Sequence, residues 1–466
     1  MGRCPGFQAS QRGSCRTGRP GEEGRDFAFS GFEEWAKEAT YPKNAEEKPE
    51  ALPGVRLLEL SPGHFGGMVA ASVLGEFGAE VIKVEPPGGD PARSFAPEGI
   101  TIAGTGLPFL SEARNRKFVT LSLETEEGRG IFRRLAATSD VVVETEGCTR
   151  MDSLGLGYEA LSRENPALVY LTLSTYGAFG PDAGRRVTDS DILCQALSGV
   201  PYVTGDPEEN GPGRDYQVPT RTGNWHGWFA QGLWGAFGVL VALAHRAATG
   251  KGQAVDVAGA EAMMKFVDYN ITWMHTAGRE RQRTGRFDPA VFPYTYIRCK
   301  DGYTFIAAYN NEAFDSLMHI IGRPELANDP RFCTGPDRTR IENEKDLHAI
   351  LEEWSGSRTA EEILREIEEY TSKKSGHGAA VVTGRVNRPL ETLSEENWWE
   401  RGCFSRVAGT VYGGLLLAAP PWKMSGTPPR IRSVCRKPGA DNDEVYSTRL
   451  GMTGEEIISL HARGVL

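Results

Sequence analysis

Five short stretches of this chain carry residue types that could do chemistry. Ser61-Pro62-Gly63-His64-Phe65-Gly66-Gly67 puts an imidazole and an aromatic ring in a glycine-rich turn. Asn115-Arg116-Lys117 is a polar, basic triplet, and guanidinium and ammonium groups pair strongly with phosphate. Taken alone, it reads as a solvated loop before a strand. Glu144-Thr145-Glu146-Gly147-Cys148 sets two carboxylates beside a thiol. Asp191 opens a helix, where a carboxylate serves as a cap or, less commonly, as a pocket-lining acid. The fifth stretch, Gly223 to Val257, is one glycine-rich helix, a glycine turn and a strand. A helix N-terminus presents unpaired N–H groups that suit anions and developing negative charge. Yet no carboxylate lies between Asp215 and Asp256. Trp225, His226 and Trp228 stand there instead, and an indole N–H only donates.

These residues need a scaffold, and the chain supplies one. Val55–Leu60 reads as a strand, Met68–Phe77 as a helix and Gly78–Glu85 as a second strand, a βαβ unit with its turn at the helix N-terminus. The glycine spacing is not GxGxxG, so a dinucleotide site is weakly supported. Phe118–Leu123, Asp140–Glu144, Leu168–Leu173 and Ala254–Val257 read as further strands, and Thr125 caps a helix over Glu126–Ala137. Small residues at Gly232, Gly235, Ala236 and Gly238 let another backbone approach the long helix, which Thr249-Gly250-Lys251-Gly252 stops. Glu261–His275 reads as a second helix, and Phe292–Cys299 with Tyr303–Ala308 as a hairpin. The fold class is α/β: a Rossmann-like large domain with a parallel sheet, plus a smaller α+β domain.

Composition narrows the function classes. The 466 residues hold 52 basic and 62 acidic side chains, a net charge of -10. That disfavours nucleic acid as the main partner but leaves room for a local basic pocket. The most apolar run, Trp228–Ala244, is broken by Gln231 and is too short for a membrane span, so it reads as a buried core helix. The eight cysteines show no CxxC spacing, so neither a metal site nor a disulfide framework is expected, and a cytoplasmic setting fits. Residues 1–50 read as a disordered or extended lead-in, with a short helix around Phe32–Ala39.

The stretch TGKGQAVDV after a Gly/Ala-rich helix resembles the family III CoA-transferases, which include formyl-CoA transferase and α-methylacyl-CoA racemase. The opening GAEVIKVEPPGGDPAR, then LGLGY and DILCQALSG, resemble the same family. The resemblance implies a large domain over residues 51–275 with 395–466, a small domain over 285–390, and a dimer interlinked like chain links. It implies a CoA thioester as substrate and no bound cofactor. It places His64, Phe65, Asn115, Arg116, Lys117, Thr145 and Glu146 at the CoA site, and Trp225, Trp228 and Gly285 at the acyl pocket. The family loop Glu-Asn-Phe-x-Pro-Gly is changed here: Thr145 and Glu146 stand at the Asn and Phe positions, and a carboxylate beside a polyanion is unfavourable. Racemases of the family carry a catalytic His before the Asp that matches Asp191; Ser190 stands there.

The transferases use an aspartate that attacks the acyl-CoA thioester, passing through a mixed anhydride to an aspartyl-CoA thioester. Registered on Gly227, Gly232 and Gly238-Val239-Leu240, that position falls on Trp228. Three readings follow. The chain is the non-nucleophilic subunit of a heteromeric CoA-transferase, with a paralogous partner or a second copy of itself. Or it is active through a displaced group, Asp191, Asp215 or His226, at the cost of orientation. Or it binds CoA esters without chemistry.

Overall fold

The computed structural model describes residues 45–466 except 184, 186–189, 207–218, 268, 374–378, 409–410 and 425. The expected helix at Phe32–Ala39 and the candidate Asp215 lie outside the described residues.

Strand β1 (Arg56–Leu60), helix α1 (Phe65–Glu76) and strand β2 (Glu80–Glu85) form the expected βαβ unit. Next come β3 (Arg116–Thr120), α2 (Glu126–Ala137), β4 (Val141–Glu144), β5 (Val169–Ser174), α3 (Asp191–Ser198), α4 (His226–Thr249) and β6 (Ala254–Ala258). The six strands make one sheet of order β3-β2-β1-β4-β5-β6, every neighbouring pair parallel. Its central strands are apolar and buried, because helices cover both faces of a parallel sheet. The order reverses between β1 and β4. Ligands of open α/β sheets bind at such a switch point, outside the carboxyl ends of the strands. The turn after β1 carries His64 and Phe65, and the turn after β4 carries Thr145 and Glu146.

Helices α1 and α4 share one face of the sheet, where Ala70, Leu74, Val239 and Ala242 pack on Val141 and Leu171. The glycines of α4 are a packing requirement. A Cβ on Gly232 would sit 2.5 Å from the Gly66 carbonyl oxygen, and one on Gly238 would sit 2.8 Å from Val255. Gly250 ends α4 at φ 75°, in the left-handed cap that glycine tolerates.

After α4 come helix α5 (Gly259–Met264) and an antiparallel sheet of order β9-β8-β7, made of β7 (Tyr294–Cys299), β8 (Gly302–Ala307) and β9 (Val382–Arg385). Its core adds Leu347 and Leu351 from α6 (Ile341–Ser355) and Ile363 and Ile367 from α7 (Ala360–Thr371). The chain then forms a two-stranded sheet, β10 (Phe404–Val407) and β11 (Leu415–Ala418). Helices α8 (Asn442–Leu450) and α9 (Gly454–Ala462) return to the other face of the large sheet, where Tyr446 and Leu460 meet Phe132 and Tyr170.

Three expected elements shift. Helix α1 starts at Phe65 rather than Met68, because His64 Nδ1 accepts the Gly67 N–H at 3.3 Å and caps it. Strand β3 starts at Arg116 rather than Phe118, since Val81 of β2 pairs with Arg116. The helix expected over Glu261–His275 is broken into Gly259–Met264, a 3-10 turn at Lys265–Val267 and Asn270–Ala277. There the Asn270 side chain donates to the Val267 carbonyl, competing with the helix ladder. Among the described residues, α4 is the one helix long and apolar enough to cross a membrane, and half of its most apolar window is buried.

Candidate functional site

The N-termini of α1 and α4 meet at the switch point, and five rings gather there. Phe65 lies 4.5 Å from Trp225, 5.6 Å from Trp228 and 5.8 Å from Phe95, measured between ring centroids. Trp225 meets Trp228 edge-on at 5.5 Å, and the His64 ring lies 5.5 Å from Trp228. Phe65 and Trp228 are buried; Trp225 and Phe95 are half-buried and form the rim. The structure thus brings together His64, Phe65, Trp225 and Trp228, and adds Phe95, which the sequence did not single out.

Asp191 reaches the same place from α3. Its Oδ1 accepts the Trp228 N–H at 3.1 Å, with the Gly227 N–H as a further donor. Its Oδ2 accepts from Gln195 Nε2 at 2.6 Å, and Gln195 is held in turn by the Thr222 N–H and hydroxyl. Burial raises the Asp191 pKa, and those donors oppose the shift. The carboxylate therefore caps α4 with both oxygens engaged, which leaves it a poor nucleophile. His226, in the first turn of α4, is exposed to solvent.

On the β4 side, Thr145 packs against the first turn of α1. A Cβ on Gly67 would sit 2.9 Å from the Thr145 methyl group, and the Thr145 N–H donates to the Leu60 carbonyl. Glu146 pairs with Arg150 at 2.5 Å, so its charge is locally neutralised. Glu144 ends the apolar strand VVVE fully buried, accepting the Gly147 N–H at 2.9 Å. Burial pushes its carboxyl up to about 7, despite the Thr172 hydroxyl and backbone donors around it. Between pH 4.5 and 7 the folded chain thus holds a proton that the unfolded chain has lost, and stability falls as pH rises through that window. Glu144→Gln keeps the shape and the acceptor without the charge. In urea melts from pH 4.5 to 8 it should gain on the native chain by up to about 3 kcal/mol at the alkaline end. Parallel profiles for the two chains would refute this.

The basic triplet sits differently from the sequence expectation. Asn115 pins residues 430–433: its Oδ1 accepts from the Arg432 and Ser433 N–H groups, and its Nδ2 donates to the Arg430 carbonyl. Arg116 lies inside β3, and its guanidinium donates to Glu59 and to the Met68, Glu112 and Arg114 carbonyls. Lys117 is a third exposed and pairs with Glu80 and Glu444. The triplet thus stands at the amino end of β3, and the structure does not bring it to the carboxyl ends where His64 and Thr145 lie. Gly285 stands in the left-handed region at φ 63° and donates to the Gly205 carbonyl, on the segment that follows α3.

The sequence also passed over Gln231. It is fully buried on α4 and bridges the ends of two strands, donating to the Ser174 and Val257 carbonyls at 2.9 and 3.0 Å. Its one visible signal was a lone polar residue interrupting an apolar run.

The sequence model of CoA-transferase family III matches residues 52–443. The chain is 34% identical over 418 residues to the alpha subunit of succinyl-CoA–L-malate CoA-transferase from Chloroflexus aurantiacus, spanning 89% of this chain and 92% of that one. To the beta subunit from the same organism it is 31% identical over 423 residues, spanning 89% and 98%. A crystal structure of a CAIB/BAIF family protein from Brucella suis superposes with TM-score 0.72 at 28% identity, covering 86% of this chain and 99% of that one.

Proposed function

The chain belongs to CoA-transferase family III, and from that premise we propose that it is the non-nucleophilic subunit of a heteromeric enzyme that moves CoA between an acyl-CoA and a carboxylic acid. One observation carries the reading. The position that the family resemblance gives to the nucleophilic aspartate holds Trp228, whose buried indole lies against Phe65, Trp225 and His64. An indole has no lone pair to attack a thioester. The nearby carboxylate of Asp191 has one oxygen on the Trp228 N–H and the other on the Gln195 side chain.

The outer face of α4 supports a partner subunit. Leu233, Trp234, Phe237 and Val241 follow one another along the helix and are 44%, 39%, 58% and 52% exposed. The helix carries no Asp, Glu, Lys or Arg before Arg246. An uncharged apolar stripe of this length on a monomer surface marks a protein contact. Relatives named as alpha and beta subunits fit a paralogous occupant. His64, Thr145 and the α1 N-terminus are the groups proposed to meet CoA.

The test is a transfer assay with succinyl-CoA and a panel of carboxylic acids. The purified chain alone should show no turnover. Mixing it with a paralogous subunit that keeps the aspartate should raise turnover above that subunit alone. Turnover by the isolated chain would overturn the proposal and favour a displaced nucleophile.

A further inference from the structure

Glu144 ends β4 at the switch point, and the turn that follows hangs on its carboxyl. The Gly147 N–H donates to Oε2 at 2.9 Å, and the Glu146 N–H reaches the same group. The residue is 0% exposed, and Oε1 is buried without a hydrogen-bond partner among the described residues. A buried carboxylate is costly unless a cation balances it, and no ion pair holds this one among the described residues. Arg150, the cation of the turn, is taken by Glu146 and Glu124. The other neighbours do not help. The strand register sets Thr172 of β5 beside Glu144 and Asp256 of β6 beyond it, while β1 presents Leu60 at the paired position. The Cys148 thiol lies 3.6 Å from the Thr172 hydroxyl oxygen, with the Asp152 and Asp256 charges acting on it. The Tyr170 hydroxyl donates to the Leu156 carbonyl. Burial pushes that phenol and the Cys148 thiol up, so both keep their protons.

Glu144 thus sits among acids and neutral groups, and burial with the Glu146 charge brings it to about 7. Near neutral pH its proton is half bound, so a modest new charge decides where the proton goes. The turn touches the site. The Thr145 N–H donates to the Leu60 carbonyl, and its methyl group packs against Gly67 in the first turn of α1. A CoA ester seated there brings a diphosphate and a 3′-phosphate. A polyanion beside a carboxyl that lacks a cation favours the protonated form, and salt screens buried charges only weakly. We propose that Glu144 is a proton-linked switch for this site: seating a CoA thioester over the β4 turn draws a proton onto Glu144, so the chain holds CoA esters more tightly as pH falls through neutrality. The proposal rests on the CoA-transfer reading and names a regulation of that site.

Isothermal titration of the full chain with acetyl-CoA, in HEPES and in Tris, counts the protons taken up on binding. The ligand's own phosphate titrates alike with every variant, so the difference between chains reports Glu144. If the ligand favours the protonated form tenfold, the native chain should take up about half a proton more than Glu144→Gln at pH 7.5. From pH 6 to pH 8 its affinity should fall about fivefold further than that of Glu144→Gln. Glu146→Gln, whose charge Arg150 already balances, should keep the native proton uptake. Circular dichroism melts establish that each variant is folded. Equal proton counts in the native chain and Glu144→Gln, both binding, would overturn the switch and leave the CoA reading standing. So would a folded Glu144→Gln chain that does not bind, because its neutral side chain matches the protonated state. Loss of uptake in a folded Glu146→Gln chain would assign the proton to Glu146 and overturn it too. No binding by the native chain would overturn this proposal together with the CoA reading beneath it.

Discussion

Trp228→Asp should give the chain the covalent chemistry it lacks. Incubated with succinyl-CoA and examined by intact mass, the native chain should show no CoA-sized adduct and the variant should show one. The new carboxylate would stand in the first turn of α4, at the position that the family resemblance gives to the nucleophile. It would also stand beside Asp191, whose Oδ1 lies 3.1 Å from the backbone nitrogen of the same residue. A neighbouring like charge raises a carboxyl pKa, so adduct formation should accelerate as pH rises. The substitution has a structural cost. Removing a buried tryptophan ring destabilises by about 3–5 kcal/mol, and urea melts should register it. Trp228→Asn creates the same cavity without a nucleophile, so it separates loss of fold from gain of chemistry. An adduct on the native chain would end the non-nucleophilic reading. A folded Trp228→Asp chain without an adduct would show that the switch-point crevice does not seat CoA.

Much of this architecture is legible because the signals are local. Glycine stops α4, Thr125 caps α2, and apolar runs bounded by turns give the strands of the parallel sheet. Positions set by distant partners are not legible. Arg116 looks like a loop cation before an apolar strand, yet it lies within β3 because Glu59, on another strand, neutralises it. His64 is an uncommon helix cap, so the residue pattern alone puts the start of α1 three residues late. Phe95 belongs to the aromatic cluster through ring contacts that no spacing in the chain announces. Gln231 announced only that an apolar run was broken; its bridging role depends on where β5 and β6 end. The glycines on which the family register places Trp228 are held by close packing against α1 and the sheet.

The GAEVIKVEPPGGDPAR stretch supplies half of a buried charge network, and breaking that network should have the second large effect. Lys83 pairs with Glu59 at 3.0 Å and with Asp90 at 2.8 Å, while Glu59 also binds Arg116 at 2.6 Å. All four side chains are fully buried, and two negative charges balance two positive ones. Arg93 closes on Glu85 with two hydrogen bonds beside them. The network reaches the site. Asp90 accepts the Gly63 N–H at 2.8 Å, and Ser61 donates to Glu59 at 2.6 Å, so the turn that presents His64 hangs from it. Glu59→Ala would leave Arg116 buried without its carboxylate and Lys83 with Asp90 alone, and should destabilise by about 3–5 kcal/mol. Acid should act in the same direction. Burial alone would raise the Glu59 pKa, but Arg116 and Lys83 outweigh it and hold the carboxyl at about 2. Its contribution is therefore complete above its usual value of 4.5 and is lost as pH falls from there towards 2. That loss amounts to about 3 kcal/mol at one proton per molecule. Urea midpoints of the native chain should drop across this acid window, and those of Glu59→Gln should start lower and drop less. If the two chains lose stability in parallel between pH 4.5 and 2, Glu59 is not the group that ties this network to pH.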